Sequence, residues 1–310
     1  LYHNRCGTDR KKPFTDYVRG LCHHPSIRPI YRSKIRRMDR QCDACKDVEA
    51  TSEKVEDGWG GYHDAGDWDR EQGHPEIPFT LALAYELAPQ NFKDGELNIP
   101  ESGNGLPDIL DEALWGMDYY LRIQRPDGGV GYGLFLDSFP DNGEGPDTDT
   151  GNWYQYAEDP EASYKVAAAA CQVSFALEKA GRKDLAPRYV EAAKKAYGWA
   201  EKNQREGDAA KVRDFRNHAA AALFKATGEG GYHDAFVQTC QIRTAEDTLL
   251  WWGTWDQRWA VWTYCLTDRP GMDAALKERL KQAAINYAQK EYVNMAEKRS
   301  SRSGYPWWNP

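Results

Sequence analysis

Helical periodicity is the feature of this 310-residue chain that most constrains its fold. From Ile77 onward, apolar residues recur about every 3.6 positions, which is typical of helices with one buried face. Glycines follow two of the segments, at Gly181 and Gly228, where helices commonly stop. The pattern predicts an all-α domain of antiparallel helix pairs with long loops and almost no sheet. The predicted helices are Ile77–Ala88, Pro107–Gln124, Pro160–Ala180, Leu185–Lys202, Ala209–Thr227, Tyr232–Cys240, Ala245–Leu266 and Met272–Ala296.

Composition excludes two broad classes of protein. The chain has 40 basic and 48 acidic side chains, a net charge of −8, whereas nucleic-acid binding needs a basic face. No stretch approaches the roughly 18 apolar residues of a membrane-spanning helix. The 12 Trp, 18 Tyr and 9 Phe residues are enough to line a sugar-binding cleft, although core packing is the commoner role of a single ring.

Residues 1–76 differ from the remainder, because they show few periodic apolar runs and are predicted to be rich in loops. The chain has seven cysteines, and an odd number cannot all pair internally. Three of them fall within predicted helices and are expected to be buried: Cys171, Cys240 and Cys265. The other four crowd into the loop-rich segment and need a separate explanation: Cys6, Cys22, Cys42 and Cys45.

The most informative segment is Trp59–Arg70, with the sequence WGGYHDAGDWDR. Only Ala-Gly separates Asp64 from Asp67, so the backbone can turn tightly and leave open space beside the two carboxylates. Such a pair can hold a water molecule and accept its proton. The letters GGYHDA recur at Gly230–Ala235, but an apolar helical pattern follows them there, so we interpret the second copy as a helix start without this function.

The loop Asp141–Gly151 places four acidic residues among glycines, which would suit a calcium ion. It lacks the fixed spacing of a known calcium loop, so a solvated acidic loop is the favoured interpretation.

Four separate motifs, in order, resemble glycoside hydrolase family 9, the cellulase family. GGYHDAGD is similar to the family's catalytic turn, and NIPESGNGLPDILDEA at Asn98–Ala113 is similar to its next block. Arg5-Cys6-Gly7 with Cys22-His23 resembles the upstream elements, and Trp153–Ala170 resembles an aromatic loop followed by an Ala-rich helix. The resemblance implies an (α/α)6 barrel and an inverting hydrolase of β-1,4-glucans such as cellulose, mixed-linkage glucan or xyloglucan. It also implies a secreted or periplasmic protein.

By position, Asp67 resembles the general base of the family and Asp64 its helper, with Trp68, Tyr62 and Trp153 as expected substrate contacts. The family's general acid is a Glu in an Asn-Glu pair near the end of the domain, and no such dipeptide occurs here. About eight helices are predicted, whereas the family barrel has twelve. We therefore expect residues 1–310 to be a catalytic-domain fragment, with residues 77–310 forming part of the barrel and the acid lying beyond Pro310.

A zinc site is also implied by the resemblance, with Cys6, Cys22, His23 and His63 as ligands and a structural role. The insertion that contains Cys42-Asp-Ala-Cys45 leaves two alternatives open. One is a rival zinc set of Cys6, Cys22, Cys42 and Cys45, and the other is a disulfide within or between these pairs.

Two further functions compete with the glucanase. One is an exo-acting β-glycosidase of the same family, such as a glucosaminidase. The other is a non-catalytic carbohydrate-binding helical domain. A downstream Asn-Glu in the reading frame would favour an enzyme, and a stop after Pro310 a binding module. The family often carries an immunoglobulin-like domain before the catalytic one, so such a neighbour outside this chain is a further expectation.

Overall fold

The computed structural model describes residues 2–42, 44–64, 73–139, 143–252 and 255–298. The chain divides into two compact units, Leu1–Glu206 and Gly207–Pro310, and helices are the main element of each. None of the described helices is long and apolar enough to cross a membrane. The predicted dominance of helices is confirmed.

The first unit contains four α-helices whose ends lie within one or two residues of the predicted ones. Helix α3 (Pro160–Lys179) begins where the Asp159 carboxylate accepts a hydrogen bond from the Ala162 N–H at 2.8 Å, with Pro160 in the first turn. Its small alanine side chains are buried and allow close contact with its neighbours. The helices are α1 (Glu76–Leu87), α2 (Asp108–Ile123), α3 (Pro160–Lys179) and α4 (Ala186–Lys202).

The first unit also contains a four-stranded sheet, so the prediction of almost no sheet is wrong. The strands are β1 (Ile30–Arg36), β2 (Ala50–Lys54), β3 (Leu134–Leu136) and β4 (Trp153–Ala157), in the order β2-β1-β4-β3. Strands β1 and β4 are parallel, with Ile30 opposite Trp153. The pattern of one short strand cannot show a partner so distant in sequence, and register shifts interrupt the alternation along β1.

A small apolar cluster lies beside this sheet and contains the disulfide Cys42–Cys45. The Tyr156 hydroxyl accepts a hydrogen bond from the Cys42 N–H at 2.8 Å and donates one to the Cys42 carbonyl at 2.9 Å. Phe135 and Tyr132 complete the packing around the sulfur atoms. Both cysteines of the insertion are therefore buried in the first unit.

The described part of the second unit contains the helices α5 (Asp208–Thr227), α6 (Gly230–Thr239), α7 (Arg258–Cys265), α8 (Ala274–Ala288) and α9 (Asn294–Lys298), with a π-helical turn at Gln289–Val293 between the last two. The predicted helix Ala245–Leu266 is wrong in its first half. Residues 245–250 are irregular, and two short antiparallel strands follow them, β5 (Trp251–Trp252) and β6 (Trp255–Asp256). Adjacent tryptophans favour extended backbone, and the Asp256 carboxylate accepts the Arg258 N–H where α7 begins.

The two GGYHDA copies have different backbones, in agreement with their interpretation from sequence. The second copy opens helix α6. In the first copy, Gly60 and Gly61 have φ values of +114° and +71°, and no helix forms there. Left-handed backbone of this kind is what glycine permits at low cost.

Two helix glycines provide a matched stability test. A Cβ on Gly116 in α2 would lie 2.9 Å from Cε2 of the buried Tyr62 ring, whereas a Cβ on Gly198 in α4 would meet no atom within 4 Å. Gly198→Ala should raise the free energy of unfolding by about 0.5–1 kcal/mol, because alanine loses less backbone entropy in a helix. Gly116→Ala should instead lower it by about 1–3 kcal/mol through overpacking. Chemical denaturation measures both, and equal effects of the two variants would contradict this account of Gly116.

Candidate active site and metal centre

The predicted catalytic turn begins with an irregular arm, defined here as Trp59–His63. The structure describes this arm and Asp64, whose side chain is partly exposed. Asp67 and Trp68 lie outside the described residues, so their predicted roles stay predictions. The arm determines where Asp64 stands, and its contacts show how firmly it is held.

One face of helix α2 fixes the arm through side chains three or four residues apart. The Trp115 indole N–H donates to the Gly61 carbonyl at 2.8 Å, and the Arg122 guanidinium donates to the Trp59 carbonyl at 2.7 and 3.1 Å. The Tyr62 hydroxyl contacts Glu112 at both its backbone carbonyl, 2.6 Å away, and its carboxylate, 3.0 Å away. Spacing of this kind places the α2 side chains on one side of the helix. Their hydrogen bonds hold Trp59, Gly61 and Tyr62 of the arm.

The Glu112 carboxylate has no exposed surface and forms an ion pair with Arg5, which is also buried. The Arg5 Nε donates to Glu112 at 3.3 Å, and two other guanidinium nitrogens donate to Glu101 at 2.9 and 3.1 Å. Burial lowers the pKa of Arg5, but the two carboxylates outweigh it and raise the pKa. Sequence reasoning missed this pair, because the first turn of a helix offers acidic residues a simpler role beside its dipole.

The N-terminal segment also holds the arm. The His63 N–H donates to the Asn4 carbonyl at 2.8 Å, and the Asn4 side-chain amide donates to the His63 carbonyl at 2.7 Å. The Cys6 N–H donates to the Gly61 carbonyl at 2.9 Å. The arm is thus hydrogen-bonded to both α2 and the N-terminal segment, and Asp64 follows it directly in the chain.

The four predicted metal ligands meet beside this arm. One ligand atom from each of Cys6, Cys22, His23 and His63 lies within 4.8 Å of the other three, and all four residues are buried. Cys6 Sγ is 3.4 Å from His23 Nδ1, and Cys22 Sγ is 3.4 Å from His63 Nε2. A zinc ion with tetrahedral angles and ordinary bond lengths would separate sulfur from nitrogen by about 3.5 Å. The donor set therefore fits zinc.

The pKa shifts of Cys22 and His63 favour the forms that bind a metal, whereas the shift of His23 favours its protonated form. Hydrogen bonding with Cys6 holds the pKa of the Cys22 thiol far below its ordinary value, against the effect of burial. Burial lowers the pKa of His63. Burial also lowers the pKa of His23, but hydrogen bonds with Asp149 and Cys22 outweigh it and raise that pKa. Thiolate and neutral imidazole are the forms that bind a metal, and binding releases any proton still held.

The backbone at His23 is unusual, because its φ of +38° lies in the left-handed region. Residues other than glycine rarely adopt this region, and such strain clusters at functional sites. Here the strained residue is a metal-ligand candidate whose ring has no exposed surface.

Asp149 and Trp153 lie immediately behind His23. Asp149 Oδ2 is 3.0 Å from His23 Nε2, and the Trp153 ring centroid is 5.0 Å from that of His23. Trp153 and Tyr62 were predicted as substrate contacts, but their exposed fractions are only 2% and 1%. In the described structure these two rings support the metal cluster and the arm, and their contact with substrate stays a prediction.

The alternatives for Cys42 and Cys45 are now decided. These residues form a disulfide with each other, which leaves neither thiolate for the rival zinc set. Cys6 and Cys22 are free of disulfides, as are the cysteines of the helices. Cys171 and Cys240 are buried as predicted, whereas Cys265 is only partly buried.

Calcium has no comparable site in the described part of the chain, where the Cys/His cluster is the only group of three or more potential ligands found together. Asp141 lies outside the described residues. Asp147 accepts the Gly20 N–H at 2.7 Å, and Asp149 is buried rather than solvated. The interpretation of the loop as simply solvated is therefore wrong for Asp149.

Known proteins similar to this chain include glucanases of the family that its sequence motifs resemble. The chain is 27% identical to the xyloglucan-specific endo-β-1,4-glucanase BoGH9A of Bacteroides ovatus, over 74% of this chain and 43% of that protein. It is 25% identical to endoglucanase D of Acetivibrio thermocellus, over 93% of this chain and 46% of that protein. The structure matches that of a metagenome-derived family 9 endoglucanase with a TM-score of 0.76 and 27% identity, covering 96% of this chain and 54% of the other.

The chain spans about half the length of the curated relatives it matches. Its helices correspond to roughly half of the (α/α)6 barrel domains of the solved structures. The sequence profile of glycosyl hydrolase family 9 matches residues 1–310, so the chain belongs to this family.

Proposed function

We propose that this chain supplies the water-activating half of an inverting β-1,4-glucan hydrolase. The observation that carries the proposal is the set of hydrogen bonds that hold the arm. They fix the arm to both α2 and the N-terminal segment, and so determine the position of Asp64, which follows it. Asp67 acts as the general base that removes a proton from the attacking water, and Asp64 orients that water. Family membership supports these roles.

The second half of the reaction requires a carboxylic acid that protonates the leaving oxygen. In inverting enzymes the two carboxyl groups stand about 6.5–9.5 Å apart, with the water between base and sugar. We propose that this acid is a Glu beyond residue 310, on helices that complete the barrel. Asp64 and Asp67 hold water on the opposite face of the sugar and cannot also reach the leaving group.

The proposed substrate is a soluble or accessible β-1,4-glucan: cellulose, mixed-linkage glucan or xyloglucan. Relatives named as endoglucanases, one of them xyloglucan-specific, support this class. Trp68, beside the base, is the proposed aromatic contact. We also propose a secreted or periplasmic location, which the Cys42–Cys45 disulfide supports because disulfides persist in oxidising compartments.

Zinc is the metal we propose for Cys6, Cys22, His23 and His63. With all four tetrahedral positions filled by protein, the ion would serve as a structural cross-link and activate no water. It would connect the N-terminal segment to His63, next to Asp64. Cys₂His₂ is a common structural zinc set, and the burial of all four residues supports it.

Asp67→Asn in the complete enzyme should lower kcat for glucan hydrolysis by about 10²–10⁴-fold, because the amide cannot accept the proton of the water. Asp64→Asn should lower kcat less. Reducing-sugar release from a soluble β-glucan measures both. The matched control is Asp57→Asn, which changes an exposed carboxylate shortly before the arm and should leave kcat unaltered. Near-normal turnover by Asp67→Asn would remove this residue from the mechanism.

Metal analysis of the purified protein should find about one zinc per chain. Cys22→Ser should abolish retention of the metal and lower the melting temperature. Cys265→Ser, at a partly buried cysteine outside the cluster, should retain it. A chain without zinc, or loss of zinc in the control alone, would refute the assignment.

Residues 1–310 expressed alone should show no glucan hydrolysis above background, because protonation of the leaving group is absent. The assay compares this chain with the product of the complete reading frame at equal concentration. Comparable activity of the two proteins would place the acid within residues 1–310 and overturn the proposed roles.

A further inference from the structure

Asp149 is a buried carboxylate with only 3% of its surface exposed, surrounded by hydrogen-bond donors. Its Oδ2 lies 3.0 Å from His23 Nε2. Its Oδ1 accepts hydrogen bonds from the Trp153 indole at 3.2 Å and from Arg28 at 3.3 Å. A buried carboxylate with this many donors is held in one orientation.

The two histidines of the cluster are fixed in different ways. His23 presents Nδ1 to Cys6 and its other nitrogen to Asp149, so a proton on Nε2 leaves the Nδ1 lone pair directed into the cluster. His63 presents Nε2 to Cys22, while its Nδ1 is buried without a hydrogen-bond partner among the described residues. Its backbone is held by Asn4 instead.

We propose that Asp149 is a positioning residue of the metal centre: it selects the tautomer of His23 that binds the ion and holds the ring in place. This inference rests on the proposed zinc. A carboxylate behind a ligand histidine raises the basicity of the ligand nitrogen, and its loss commonly weakens metal binding by about 10–100-fold. No motif in the sequence connects position 149 with the ligands.

The same carboxylate links the metal centre to the sheet. Arg28 donates to the Asp149 carbonyl at 2.6 Å and to the Gly151 carbonyl, and its guanidinium lies 4.8 Å from the Trp153 ring centroid. Trp153 begins β4, opposite Ile30 of β1. An ion that fixes His23 therefore also favours the ordered loop around Asp149, and the ordered loop favours metal binding to the same extent.

The test measures zinc affinity by competition with a chromogenic chelator in three forms of the protein. Asp149→Asn keeps the shape of the side chain but removes the charge, and should weaken zinc binding by about 10–100-fold. Asp147→Asn is the matched control, because this residue lies in the same loop and bonds the Gly20 N–H but contacts no ligand. It should bind zinc as tightly as the unaltered protein.

Equal affinities of Asp149→Asn and Asp147→Asn would overturn the inference while leaving the zinc assignment intact. Absence of zinc binding by the unaltered protein would overturn the assignment and the inference together, and continued hydrolysis in that case would leave the proposed catalysis standing.

A second measurement needs no variant. Two-bond ¹H–¹⁵N correlation of the zinc-loaded protein should show His23 bound through Nδ1 and protonated on Nε2. Metal on Nε2 of His23 would contradict the proposed orientation, even if Asp149→Asn does not fold.

Discussion

The position of the arm, and with it the position of the catalytic turn, depends on the buried carboxylate of Glu112. This carboxylate lies on α2 without solvent contact, forms an ion pair with the Arg5 guanidinium and accepts a hydrogen bond from the Tyr62 hydroxyl. Removing one partner of such a buried pair typically costs about 3–5 kcal/mol, because the other charge is left uncompensated. Arg5 precedes the first proposed metal ligand and Tyr62 precedes the last, so one carboxylate sets the spacing between the cluster and Asp64.

Hydrogen bonds connect the N-terminal segment to the arm. It has little regular structure before β1, and its backbone pairs with the arm at only a few positions. A metal at the proposed Cys/His site would connect this segment to His63 of the arm. Binding of a metal by residues of this kind contributes directly to folding free energy, because the unfolded chain has no preformed site.

Local sequence patterns were sufficient for the helices of the first unit and for the second GGYHDA copy, because periodicity and helix stops act over neighbouring residues. The metal cluster could be predicted only through resemblance, although its ligand types are distinctive. The pairing of β1 with β4, the Arg5–Glu112 ion pair and the contact of Asp149 with His23 could not be predicted, because each joins segments far apart in the chain. The predicted helix Ala245–Leu266 is wrong for a local reason. Its apolar run resembles helical periodicity, but the tryptophans pair as two short antiparallel strands.

The order of the metal-site residues along the chain has a consequence for biosynthesis. All four ligands lie within the first 63 residues, whereas the carboxylate behind His23 comes 126 residues after it. A chain that emerges from its N-terminus displays the complete ligand set before any barrel helix has been made. With the proposed metal, the nascent chain would present the four ligands first, and Asp149 would support His23 only once the segment leading into β4 arrives.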